Sequence, residues 1–395
     1  MIFKNKINSN WLSLIFTLNV LAPSTKVGYI IQLISLFVLL FFFRKNKVPM
    51  QSGLMVVLMI FLSFIFSVFK GYNFSETETI VKFAVIAITI GLFPICTNNV
   101  ISNKFLLFII GFILISQVGY AIRVNSIISF IDKFYPAIAE NYQTDRISSI
   151  YETSSLSTFF RFGGIYRNGN HAARMVSLIF AIFLAQKRES GFKDIYSVLF
   201  LPLTFISIIL TGSRTGLIIV ILLTGYKIFF IQKISFFKKT VILIFSIFII
   251  ILLGSLNLRS LDFDIGATGS IGLRIEFLSA YLNAASESGT ILSIFFGNFN
   301  YLFDTNNLLG NTMLSKFDSE VGYILYSLGL FGLISIVFFY YNLKRKTDIY
   351  YNFLLIILLW MIPSTILFSL KFNLVYFIAL SFSFRKHLLE KKEIG

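Results

Sequence analysis

An arginine stands in a short polar gap between two apolar runs, in the segment LTGSRTGLII at residues 210–219. Gly212 permits a tight turn there, and Ser213 is suited to cap the helix that follows. The start of a helix presents free N–H groups with a partial positive charge, and the forked guanidinium of Arg214 adds a cation beside them. These groups suit a phosphate; the simpler interpretation is an arginine that reaches lipid headgroups from a helix end.

A second basic cluster lies in FRFGGIYRNGNHAARM, residues 160–175, and its arginines are Arg161, Arg167 and Arg174. The glycines permit a ligand to approach the backbone closely, and Asn168 or Asn170 is suited to cap the helix that follows. His171 also lies at this helix start, where a lone histidine is more often a cap or a polar filler than a catalyst.

Two further stretches place charges near apolar helices. SIGLRIEFLSAYLNAA, residues 270–285, carries Arg274 and Glu276 on an amphipathic helix, where such a pair is commonly a solvated face. SKFDSEVGYILYSLGLFGLIS, residues 315–335, has Asp318 and Glu320 at the opening of a span, where the helix dipole favours acids. No cluster of acids has metal-ligand spacing, and the single cysteine excludes an intrachain disulfide, so we expect no metal and no cofactor.

The composition is that of a membrane protein, since 56% of the residues are hydrophobic, 13% are charged and the mean hydropathy is +0.83. A soluble domain has about a quarter charged residues, and a bilayer core needs roughly 20 apolar residues per helix. We therefore expect an all-α polytopic membrane protein with about twelve transmembrane helices. The predicted spans are 9–25, 27–43, 50–69, 79–97, 104–122, 169–187, 194–212, 213–231, 239–256, 320–343, 349–369 and 371–385.

The distribution of lysine and arginine orients these spans. Most of the basic residues fall on one side when the N-terminus is inside, so both termini are predicted to be cytoplasmic. The net charge of +16 is therefore explained by topology, and we expect no nucleic-acid partner. The two long loops, 123–168 and 257–319, then lie on the outer face, with short amphipathic helices expected at the membrane surface near 127–134 and 273–282. No repeat or separate soluble domain is evident, so residues 1–395 are predicted to form one integral-membrane domain.

Taken in order, the four stretches resemble the O-antigen polymerase and O-antigen ligase superfamily of bacterial envelope proteins, and in particular its polymerase branch. The resemblance rests on the span order, the two outer loops and four local patterns. These patterns are GGIYRNGNHAA at a helix start, the Ser213-Arg214-Thr215 hairpin, Arg274 followed by FFGNFN at 295–300, and Glu320 followed by Gly329 and Gly332. The ligase branch typically has "HN" where this sequence has Ser319-Glu320, which favours a polymerase.

The resemblance implies a membrane glycosyltransferase of the glycosyltransferase C type in the bacterial inner membrane. It would join oligosaccharide units carried on undecaprenyl diphosphate at the outer leaflet, and a chain-length regulator protein is an implied partner. Fixed guanidiniums suit a diphosphate leaving group, and a carboxylate suits the acceptor hydroxyl. The predicted catalytic residues are Glu320 as base, Asp318 as second choice, and Arg214 and Arg274 on the diphosphate. The predicted substrate contacts are Arg161, Arg167, Arg174, His171 and Asn170. We expect inversion without a metal.

Three other functions remain open on these residues. An O-antigen ligase would share the fold and most of the motifs. A flippase for lipid-linked oligosaccharides would also have about twelve helices and basic residues for the diphosphate, but its charges should line a cavity at mid-membrane depth between two related halves. A secondary transporter usually has broken helices and ionisable groups near the midplane. Here the arginines outside the cytoplasmic segments cluster on one outer face, which favours an enzyme.

Overall fold

A computed structural model describes residues 9–23, 26–42, 51–69, 84, 87, 89, 101–135, 162–166, 169–186, 195–231, 291–297, 320–346, 350–361 and 370–381. These residues form helices and the turns between them. The helices are α1 (Ser9–Leu21), α2 (Lys26–Phe42), α3 (Gln51–Phe69), α4 (Asn103–Ala121), α5 (Asn125–Phe134), α6 (Gly169–Gln186), α7 (Ile195–Thr211), α8 (Arg214–Tyr226), α9 (Ile291–Phe296), α10 (Glu320–Lys346), α11 (Tyr350–Ile357) and α12 (Leu370–Ser381).

Each predicted span that the structure describes is helical, so the all-α prediction is confirmed for this part of the chain. Two helical segments, Ser52–Phe69 and Asn103–Ala121, are long and apolar enough to cross a bilayer, and several others are apolar but shorter. The number of about twelve membrane crossings stays a prediction. The predicted span at 239–256 and the predicted surface helix near 273–282 lie outside the described residues.

The chain divides into two compact units, and each combines separate stretches of sequence. The first contains Met1–Phe37, Asn98–Phe263 and Asn352–Ile357. The second contains Val38–Thr97, Asp264–Tyr351 and Leu358–Gly395. The single-domain organisation stays a prediction.

In the first unit, contacts at the helix ends fix the helix directions. At their starts, α1 and α4 are joined by a hydrogen bond of 3.3 Å from the backbone N–H of Ser102 to Ser13 Oγ. The starts of α6 and α8 meet where Gly216 faces Ala173, and their ends meet where Lys227 Nζ donates to the Leu184 carbonyl at 3.4 Å. Parallel directions follow for both pairs. The end of α7 reaches the start of α6, so α7 runs the opposite way.

The core of this unit is centred on α6. Its residues from Ala172 to Leu184 are all buried. Phe183 stacks on Phe200 of α7, with ring centroids 4.2 Å apart. Two neighbours, α7 and α8, both pack on α6, so the start of α6 is held by burial of apolar surface along its length.

A tight turn sends α5 back against the end of α4. Arg123 has a left-handed backbone (φ 56°), and the N–H of Val124 donates to the Gly119 carbonyl at 2.8 Å, which is the Schellman arrangement. Tyr120 Oη donates to Asp132 Oδ1 at 3.0 Å and ties the two helices together. The predicted amphipathic helix near 127–134 is therefore confirmed as a helix, with Ile131 buried and Phe134 exposed.

In the second unit, α10 is interrupted at Gly329, whose backbone is non-helical (φ 68°, ψ −169°). Gly297, directly after α9, also has positive φ, and the two glycine backbones touch so closely that a Cβ on either would overlap the other segment. Just before the interruption, the Ser327 carbonyl accepts a hydrogen bond of 2.6 Å from Ser63 Oγ of α3. The protein itself therefore satisfies this backbone group at the break.

The position of α9 along α10 sets the depth of this contact. Gly329 is nine residues from Glu320, which is about 13 Å at the helical rise. The rings of Phe295 and Phe331 stack with centroids 5.0 Å apart. The ring centroids of Phe296 and of Phe66 in α3 are 6.0 Å apart. Part of the second predicted outer loop thus packs against the interior of a predicted span.

Ser63→Ala should destabilise the protein more than Ser67→Ala. Loss of the Ser63 hydroxyl removes a hydrogen bond between α3 and α10 and should cost about 1 kcal/mol, whereas the bond from Ser67 Oγ to the Ser63 carbonyl lies within α3. Thermal unfolding of the purified variants in detergent measures the difference. Equal melting temperatures for the two variants would show that the break does not depend on this bond.

Candidate anion-binding site

The structure describes four of the nine predicted site side chains, namely Arg214, Arg174, His171 and Asn170, and all four belong to the first unit. Glu320 is the first residue of α10 in the second unit. The remaining predicted residues, Arg161, Arg167, Arg274 and Asp318, lie outside the described residues.

The hairpin that carries Arg214 has the local structure expected from its sequence. Gly212 takes a left-handed conformation (φ 59°), which glycine adopts without strain. Ser213 Oγ accepts from the N–H of Gly216 at 3.3 Å, so the prediction that Ser213 caps the helix is confirmed. Arg214 is the first residue of α8 and is partly exposed. Its guanidinium is therefore attached at the positive end of a capped helix.

The start of α6 lies directly against this hairpin. The α-carbon of Gly169 packs on the Thr211 carbonyl, and a Cβ at residue 169 would overlap that oxygen. One turn further along, Gly216 of α8 faces Ala173 of α6, and an added Cβ would lie 2.8 Å from the alanine methyl. Two basic clusters that are about 40 residues apart in sequence are thus adjacent. Gly169 is needed because it meets the backbone of Thr211, and Gly216 because it meets the methyl group of Ala173.

Three predicted substrate contacts lie in the first two turns of α6. Asn170 and His171 are partly exposed. We expected Asn168 or Asn170 to cap this helix. Because α6 begins at Gly169, Asn170 is inside the helix and does not cap it, and Asn168 lies outside the described residues. Arg174 is only 2% exposed and lies in the second turn of α6, so a buried positive charge is attached close to the start of this helix. Contact of these side chains with a substrate stays a prediction.

A glycine turn leads into α6 and is fixed to two neighbouring helices. The N–H of Phe162 donates to the Leu210 carbonyl of α7 at 2.9 Å, and the N–H of Ile165 donates to Ser116 Oγ of α4 at 3.2 Å. Gly164 has positive φ (60°) and packs on Ser116 and Gln117 without room for a side chain. This turn, residues 162–166, directly follows Arg161 and directly precedes Arg167 in sequence.

Two tyrosines tie both sides of the first long loop to the end of α1. Tyr135 Oη donates to the Leu21 carbonyl at 2.8 Å, and Tyr166 Oη donates to the Val20 carbonyl at 3.1 Å. The last carbonyls of a helix have no partner within it, so these phenols satisfy two of them. Burial raises the pKa of the Tyr135 phenol, and it raises the pKa of Tyr166 well above the usual value, with a further contribution from the neighbouring Tyr135.

The arrangement combines groups that favour an anion. Two helix starts present N–H groups, and Arg214 and Arg174 add positive charge around them. Among the described residues the acids are Asp132, which accepts the Tyr120 hydroxyl, and Glu320. No group of three or more His, Cys, Asp or Glu within the described stretches could hold a metal ion. A phosphate or diphosphate is the ligand class that this end of the first unit suits.

The buried polar residues next to the glycine turn were not predicted as part of the site; they are Ser116, Gln117 and Ser207. They lie within apolar runs, where single polar residues read as ordinary members of a span. Polar groups in such runs are costly unless they are paired, so their presence was itself the available signal.

The pKa shifts predict a loss of stability in alkali. A buried phenol with a raised pKa stabilises the folded state. This stabilisation is complete below the pKa of the phenol in the unfolded chain, which is about 10, and it is lost as the pH rises above that pKa. We therefore expect the difference in melting temperature between wild type and Tyr166→Phe to be largest near pH 8 and to shrink by pH 11. A difference that stays constant over this range would contradict the burial of an ionisable phenol at residue 166.

Comparison with known proteins adds no residue roles to this site. No protein-family model matches the chain, and no curated protein matches it.

Proposed function

We propose that the protein is an integral-membrane glycosyltransferase that polymerises a bacterial surface polysaccharide such as O-antigen. Its substrates would be oligosaccharide repeat units on undecaprenyl diphosphate, at the outer leaflet of the inner membrane. The observation that carries the proposal is the contact of Gly169 with the Thr211 carbonyl, because it joins the two basic clusters into one cationic end of the first unit.

The proposed reaction is a single displacement. The bond from the anomeric carbon of the growing chain to its diphosphate breaks, and the diphosphate leaves with both bonding electrons. Arg214 would neutralise the developing charge, with support from Arg274 and the helix starts. The acceptor hydroxyl of the next repeat unit forms the new bond from the opposite face and gives its proton to a carboxylate, assigned to Glu320 or Asp318. Inversion at the anomeric carbon follows, and no step uses a metal.

The proposed orientation in the membrane agrees with the helix contacts of the first unit. The ends of α1, α4 and α7 and the starts of α6 and α8 are all predicted to be outer. Hydrogen bonds and glycine contacts bring these ends together, and Lys227, predicted to be cytoplasmic, lies with the opposite helix ends. Both termini would then be cytoplasmic. This agreement supports an outer site for a lipid-linked substrate.

Two alternatives share the cationic end. A ligase would use the same diphosphate site, and Ser319-Glu320 in place of "HN" favours a polymerase. The interruption of α10 favours lipid-linked oligosaccharide transport as a second candidate, because transporters bind substrates at broken helices. Against this, Gly297 and Ser63 fill the break and satisfy its carbonyl. The described residues thus argue for packing at the break.

An in vitro assay separates these functions. The purified protein in detergent receives a synthetic undecaprenyl-diphosphate repeat unit with chelator present, and the products are resolved as a length ladder. A ladder supports a metal-independent polymerase. Movement of the same lipid across proteoliposomes without a ladder would overturn the proposal and establish transport.

Arg214→Lys should abolish the ladder while the amount of folded protein stays normal, because lysine loses the two-pronged contact with phosphate. Arg123→Lys is the matched control: Arg123 is an exposed arginine on the turn after α4, and it has no role in the proposed reaction. We expect this control to make polymer of normal length. Full-length polymer from Arg214→Lys would remove Arg214 from the site.

A further inference from the structure

Gln117 is a fully buried amide near the end of α4, with 0% of its surface exposed. It lies in a helix that is apolar enough to cross a bilayer. Transfer of an amide without hydrogen bonds into such an apolar environment costs several kcal/mol. A residue of this kind is retained only if its hydrogen bonds are made. Its partners therefore indicate what it does.

Both ends of the Gln117 side chain are used, and they lead to different segments. Its Oε1 accepts a hydrogen bond of 2.6 Å from Ser207 Oγ of α7. Its Nε2 donates to the Phe162 carbonyl at 3.3 Å, at the first residue of the glycine turn. One side chain thus bridges a helix and a turn that are 45 residues apart in sequence.

Each partner of Gln117 belongs to a segment that forms the cationic end of the first unit. Ser207 is one turn before Thr211, whose carbonyl meets Gly169, and two turns before Arg214. Phe162 opens the turn that leads into α6. A shift of the Gln117 amide would therefore move the start of α6 relative to the Arg214 hairpin.

We propose that Gln117 is a positioning residue that sets the register between the glycine turn and the Arg214 hairpin. The inference rests on the proposed function, since that register decides how the two cationic segments meet one diphosphate. The glutamine amide supplies an acceptor and a donor from one group that stays uncharged at any pH the protein meets. Leucine has a similar volume but neither bond, so Gln117→Leu removes the bridge while it keeps the packing.

The kinetic test compares Gln117→Leu with Thr204→Val. Thr204 has a fully buried hydroxyl on α7, one turn from Ser207, and among the described residues it donates to the Phe200 carbonyl of its own helix. We expect Gln117→Leu to lower kcat by about tenfold or more, as misplacement by a fraction of an ångström does, while KM for the lipid-linked unit changes by less than about threefold. Thr204→Val should keep both values.

A second pair of variants separates positioning from general stability. Ser207→Ala removes the donor to Gln117 and should lower kcat, whereas Ser207→Thr keeps a hydroxyl there and should restore most of the rate. Equal losses in Ser207→Ala and Ser207→Thr, or an equal loss of kcat in Thr204→Val and Gln117→Leu, would overturn the inference.

A crosslinking measurement does not depend on activity. In a Cys96→Ala background, the pair Phe162→Cys and Leu210→Cys reports whether the glycine turn still lies against α7. The backbone nitrogen of Phe162 is 2.9 Å from the carbonyl oxygen of Leu210. The disulfide yield should fall several-fold in Gln117→Leu. If the wild-type protein makes no polymer, the proposed function fails. The ratio of the disulfide yield with Gln117→Leu to the yield without it still decides whether Gln117 sets the register. An unchanged yield would overturn the inference.

Discussion

The close approach of Gly169 to the Thr211 carbonyl is the constraint on which the cationic site depends. It lets the start of α6 reach the Arg214 hairpin, and no side chain fits between them. The buried length of α6 and the glycine at residue 216 hold the two helices in this position. The end of α7 offsets part of the partial positive charge of the two helix starts, and the guanidiniums of Arg214 and Arg174 leave this end of the unit positively charged. The geometry therefore gives a physical reason for a negatively charged ligand.

Buried polar groups keep this arrangement in place. Ser207, Gln117 and the Phe162 carbonyl form one connected set of hydrogen bonds, and Tyr166 closes the end of α1. Such groups are stabilising only when all their bonds are made, so they specify one register where apolar packing alone would permit several. In the second unit, Ser63 has the same role at the broken α10.

Local structure followed from the sequence more closely than did contacts between distant segments. Apolar run lengths predicted the long described helices, the amphipathic pattern predicted α5, and the Gly212-Ser213 pair predicted the hairpin and its cap, whereas α9 was not predicted. The approach of Gly169 to Thr211 was not predictable, since it requires tertiary packing across 42 residues. The break at Gly329 was not predicted either, because glycine is common inside membrane helices. Burial of Arg174 depends on which face of α6 meets its neighbours, which the uniformly apolar run does not reveal.

Photocrosslinking of an undecaprenyl-diphosphate analogue, with the reactive group beside the diphosphate, tests the central claim most directly. Mass spectrometry of the labelled protein locates the attachment sites. The account predicts labelling at the start of α6 and at the hairpin of residues 211–214, suppressed by excess unlabelled substrate. Labelling confined to the opposite end of the first unit, around Leu184 and Lys227, would contradict it.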